Sequence, residues 1–116
     1  MSFEAPPHIR LLNLLAAIRG LSPFDVMTAE EEQLLRGLLV RWHEAKAISV
    51  SEIMANMTGV SATTAYRRLI GLRDKGLIHF RVDTADKRVK FVEPTSLAKE
   101  YGRQVNLAVN QLLGGN

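Results

Sequence analysis

The sequence predicts a mainly helical α+β domain in which two short helices run directly into a two-stranded hairpin, with a further helix flanking this block at either end. Three observations predict it. Apolar residues recur at spacings of three and four through most of the chain; the stretch from Ile78 to Phe91 switches to alternation; and "TGV" separates two short helical patterns just before that switch. A single domain over residues 1–116 is the expected organisation, with 48–94 as helix pair plus hairpin and 8–19 and 95–113 as flanking helices.

The elements follow in order. "PPHIRLLNLLAAIRG" opens on prolines that tolerate a helix start, carries Ile9, Leu11, Leu12, Leu15 and Ile18 at mostly helical spacing, and ends at Gly20. After the breaker stretch "GLSPFDVM", Thr28 and Glu31 have capping-box spacing, and Leu34, Leu35, Leu38, Leu39, Trp42 and Ala45 form an apolar stripe. Glu30, Glu31 and Glu32 fall in the first turn, where the helix dipole favours negative charge.

Two short helices come next. Ser51 is placed to cap the first, which buries Ile53, Met54 and Met57; Gly59 supplies the positive φ of a tight turn; and Ser61 caps the second. In that second helix Ala65, Leu69 and Leu72 face inward and Gly76 closes the C-terminus. Gly71, inside it, costs about 1 kcal/mol against alanine; either it admits a close neighbour or it marks nothing. The layout is a helix-turn-helix, whose second helix enters the DNA major groove in proteins that use the motif for recognition.

In the hairpin, Ile78, Phe80 and Val82 alternate with His79 and Arg81, and Val89 and Phe91 with Arg88 and Lys90, giving one apolar and one basic face around a loop at Asp83 to Lys87. A hairpin directly after a recognition helix makes a winged helix. Pro94 ends the second strand, Thr95 caps a last helix, and Leu97, Tyr101, Val105, Ala108 and Leu112 form its stripe. Leu11, Leu12 and Leu15 of the first helix, with Tyr101, Val105, Ala108 and Leu112 of the last, are the expected contacts of a homodimer, because a long helix on a small domain has little core of its own to cover.

Charge is distributed unevenly. The chain carries +3 overall, yet residues 61–90 hold eight basic and three acidic side chains, a net +5, leaving −2 for the rest. Basic charge gathered in one quarter of a chain is the footprint of a surface that meets polyanions. The plain reading stands beside it: Arg67 and Arg68 as solvated helix residues, and Lys87 and Arg88 as counter-charges to Asp83 and Asp86 that blunt a strand edge.

From about Ile48 to Thr95 the chain resembles the MarR family of bacterial winged-helix regulators, through "VSATTAYRRLIGLRDKGLI" as turn, recognition helix and strand entry and "RVDTADKRVKFVEPT" as wing. The resemblance implies a homodimer that binds a pseudo-palindromic double-stranded DNA operator, often with release by a small-molecule effector or an oxidant, and acting as a repressor rather than an activator. It places Ala62, Thr63, Thr64, Tyr66 and Arg67 at the major groove with Ser61 and Arg68 beside them. Lys87 and Arg88 fall at the wing tip, Asp86 orients an arginine, and Arg81 and Lys90 lie on the wing strands.

Other functions are disfavoured. There is no glycine-rich phosphate loop, nucleophile elbow or metal-ligand cluster, so an enzyme or a metal or cofactor site is not expected. His8, His43 and His79 lack paired metal-ligand spacing, and Trp42 and Tyr101 read as core rather than pocket lining. No cysteine is present, which excludes thiol-based redox sensing. No secretory pattern opens the sequence and no apolar run approaches the roughly 18 residues of a bilayer span, so a cytoplasmic protein is expected. The remaining alternative is a winged helix used for protein–protein contacts without sequence-specific DNA binding.

Overall fold

The computed structural model describes residues 5–44 and 46–114, so Ala45 of the second stripe lies outside the described residues. The elements are α1 (Pro7–Arg19), a 3-10 turn (Phe24–Val26), α2 (Ala29–His43), α3 (Val50–Asn56), α4 (Ala62–Asp74), β1 (Ile78–Val82), β2 (Lys90–Pro94) and α5 (Ser96–Gly114). They divide into two compact units: Met27–Lys99, which holds the winged helix, and Met1–Val26 with Glu100–Asn116.

In the winged unit α2 starts with the expected capping box: Glu31 N donates to Thr28 Oγ1 at 3.1 Å, and Thr28 N to Glu31 Oε1 at 2.8 Å. Leu35 and Leu38 are buried, and Leu34, Leu39 and Trp42 half-buried. The cap of α3 is Ser49, not Ser51. The reason is reciprocity: three residues after Ser49 stands Glu52, whose carboxylate accepts from Ser49 N at 3.3 Å while Glu52 N donates to Ser49 Oγ at 3.1 Å. Three residues after Ser51 stands Met54, which has no such group to return. Ile53 is buried with Val50, whereas Met54 and Met57 are half-buried.

Ser61 caps α4 as expected, accepting from Thr64 N at 3.1 Å, and Ala65, Leu69 and Leu72 are fully buried. The helix ends in a Schellman motif. Gly76, at φ 81°, donates to Arg73 O at 3.0 Å, and Leu77 N donates to Leu72 O at 2.9 Å, a geometry that only glycine adopts without strain.

The two strands pair antiparallel, with Phe80 opposite Val92 and Arg81 opposite Phe91. This corrects the alternation read for the second strand. Val92 is the buried residue, and Phe91 shares the outer face with His79, Arg81 and Glu93, while Lys90 falls on the same face as Phe80 and Val92. Residues directly opposite in an antiparallel pair share a face, so Phe80 opposite Val92 puts Val92 and Lys90 inward and turns Phe91 out with Arg81. Val92 is then fixed on both backbone sides, its N–H donating to Ile48 O at 2.8 Å and its carbonyl accepting from the Trp42 indole at 3.0 Å. Trp42 is thus a structural side chain.

The other unit contains α1, the 3-10 turn and most of α5. Phe24, within a stretch that reads as a breaker, is buried with its ring edge-on to Tyr101 at 5.3 Å. Tyr101 and Ala108 are buried and offer a partner almost no surface; Leu11, Leu15, Val105 and Leu112 are half-buried. On α1 and α5, Leu12, 58% exposed, and Leu107, 45% exposed, are left outward, along with Ile9, Val109 and Leu113.

Candidate nucleic-acid interface

Helix α4 sorts its residues by angle. At about 100° per residue, Ala62, Thr63, Tyr66, Arg67 and Ile70 occupy one sector of roughly 140°, and all but the half-buried Ile70 are exposed. Arg68 follows Arg67 by one step and lies on the flank beside Thr64, half-buried and away from this sector. Ser61 and Thr64 are committed to the cap: beyond the backbone bond, Ser61 Oγ donates to Thr64 Oγ1 at 3.0 Å. Of the seven residues placed at the groove from sequence, four therefore share an outward face, and Ile70 joins them although no sequence signal marked it.

The orientation of α4 is held from below by α2. The Glu31 carboxylate, buried to 8% exposure, caps its own helix and accepts a short hydrogen bond from Lys75 at the end of α4. Burial pushes the Glu31 carboxyl up, but the bonds from Lys75 and from Thr28 N–H, with the Lys75 charge, outweigh it and leave its pKa lowered. Gly71 is the glycine that admits this arrangement, since a Cβ there would stand 1.9 Å from Glu31 Oε2.

In the wing, Asp83 Oδ2 accepts from Asp86 N at 3.1 Å and shapes the loop rather than holding a base. Asp86 holds Arg88, accepting from its backbone N, Nε and Nη2, each at 3.1 Å, which keeps the Asp86 carboxyl below its ordinary range. The pair is solvated, with the Arg88 side chain 90% exposed. Arg81 is engaged otherwise. Its Nε donates to Glu93 Oε2 at 2.7 Å, its guanidinium lies 4.8 Å from the Phe91 ring centre, and the second Glu93 oxygen is 3.0 Å from His79 Nε2. Glu93 escaped the sequence reading because its place opposite His79 depends on the hairpin register.

The basic cluster is therefore of two kinds. Arg73, Lys75, Arg81 and Arg88 have carboxylate partners, Asp74, Glu31, Glu93 and Asp86. Arg67, Arg68, Lys87 and Lys90 make no ion pair among the described residues, and Arg67, Lys87 and Lys90 are exposed.

No protein-family model matches the sequence, and no curated protein is similar enough to match. Solved structures do match. Heme-free PefR superposes with a TM-score of 0.61 at 20% identity, over 92% of this chain and 90% of that one. The apo form of MarR from E. coli gives 0.54 at 20% identity, over 99% and 88%. A protein from Bacillus cereus described as a MarR-like transcription regulator gives 0.55 at 20% identity, over 91% and 70%. The fold is that of the MarR-type regulators. Five helices and one antiparallel hairpin match the MarR-type winged helix, and here its helix-turn-helix is α3–α4 and its wing β1–β2. Among the described residues no group of three or more acidic or imidazole side chains could hold a metal ion, and no helix is long and apolar enough to cross a membrane.

Proposed function

We propose that the chain is a sequence-specific double-stranded DNA-binding protein, acting as a homodimeric transcription regulator of the repressor type. The observation that carries the reading is the exposed Arg67, on a solvent-facing sector of the recognition helix, which like Lys87 and Lys90 of the wing makes no ion pair among the described residues. Structural likeness to MarR-type regulators supports the regulator class, and the repressor assignment rests on the family resemblance of the sequence alone.

In this mechanism Lys87 and Lys90 neutralise phosphates, which contributes affinity without sequence information. Thr63, Tyr66 and Arg67 face base edges, with Arg67 suited to a bidentate contact with guanine O6 and N7. Arg88, braced by Asp86, meets the flanking groove with a guanidinium already oriented. The exposed apolar residues of α1 and α5 supply the homodimer contact.

Binding to a labelled duplex of mixed sequence, measured from low to physiological salt, tests the reading. A steep linear fall of log affinity with log salt is expected. Weak, salt-independent binding would favour a winged helix that contacts proteins instead.

A further inference from the structure

The outward sector of α4 is unusual in what it lacks. The helix carries no asparagine or glutamine, the side chains that read adenine by paired hydrogen bonds, and its single acid, Asp74, lies in the last turn 3.4 Å from Arg73. The Ser61 and Thr64 hydroxyls are engaged with each other in the cap. Arg73, at the C-terminal end of the sector, is taken up by Asp74 and the Phe80 ring, so Arg67 is the sector's other strongly base-selective side chain and the one without an ion pair among the described residues, the hydroxyls of Thr63 and Tyr66 both donating and accepting.

The rest of the sector is rich in methyl groups: Ala62 and Thr63 exposed in the first turn, Ile70 half-buried two turns on. The major groove offers such groups one apolar partner, the C5-methyl of thymine. We infer that the half-site presents thymines to Ala62 and Thr63, next to a guanine read by Arg67, and that these thymines are recognised by their methyl groups. The inference rests on the DNA-binding reading and specifies the class of sequence that reading leaves open.

The test uses the full chain. Duplexes are enriched from a random pool, and the enriched duplex is resynthesised with deoxyuridine replacing thymidine one position at a time, which removes only the methyl. Binding should weaken about fourfold per contacted methyl, as expected for roughly 0.8 kcal/mol per apolar carbon buried. Thr63→Ser, which keeps the hydroxyl and loses a methyl, should abolish the penalty at one position while leaving thermal stability unchanged. Affinity indifferent to deoxyuridine, or an enriched half-site without thymine beside its guanine, overturns the inference and leaves DNA binding standing. Retention of no duplex even at low salt overturns both.

Discussion

Glu31 and Gly71 meet where the start of α2 crosses the end of α4, and their contact sets the sign of a mutation. Gly71→Ala should gain about 1 kcal/mol in helix propensity, yet its Cβ would displace the Glu31 carboxylate from Thr28 N–H and Lys75. We expect a net loss of about 1–2 kcal/mol from the disrupted cap and ion pair. In a Glu31→Ala background the obstacle is gone, so Gly71→Ala should become stabilising; denaturant unfolding of the four proteins of the cycle reads the reversal. The same carboxylate predicts a pH dependence. Its folded pKa is lowered from 4.5, so its contribution is complete above that value and is lost as pH falls through the depressed one. Glu31→Gln should therefore flatten the acid limb of the stability curve. The Thr28–Glu31 cap is legible in the sequence, but the approach of Glu31 to Gly71 is not, because it joins residues forty positions apart.

At the scale of elements, caps and helical stripes were readable because their signals are local: Thr28 with Glu31, Ser61 with Thr64, and Gly76 at φ 81°. Ser49 was missed for its neighbour Ser51 although the deciding residue, Glu52, was in view. The hairpin failed for a different reason. Its outer face is set by the pairing of Phe80 with Val92 and by Val92 bonding to Ile48 and Trp42, which no pattern within the strands contains. That register ties Arg81 to Glu93, whereas Lys87 and Lys90 make no ion pair among the described residues. Lys87→Ala should weaken all duplexes alike and reduce the salt slope by about 0.9, whereas Arg81→Ala should change the slope little. Equal slopes for Lys87→Ala and the parent would return the wing to a purely structural role. On α4, Arg67→Ala should cost about 1–3 kcal/mol of binding and relax preference at one or two base pairs, while Arg68→Ala, on the flank, should leave preference intact; sequencing of duplexes bound by each variant separates the two.

For the whole molecule, the apolar residues that α1 and α5 leave exposed are the basis for the proposed homodimer. Leu12→Asp and Leu107→Asp alter side chains 58% and 45% exposed, so the folded unit should tolerate them while self-association weakens. Light scattering would show a dimer for the parent chain and a lighter species for the variants, and an unchanged mass would move the interface elsewhere. Tyr101→Asp is a poor test of the same idea, because Tyr101 packs on Phe24 and its loss would unfold the unit. A dimer of winged helices imposes two-fold symmetry on the DNA it reads, with half-sites about one helical turn apart. The most direct measurement is selection of duplexes from a random pool by the purified chain at several salt concentrations, followed by sequencing of the retained DNA. An enriched inverted repeat with that spacing is the predicted result; retained DNA without any common sequence, or none at low salt, would contradict a sequence-specific dimeric regulator.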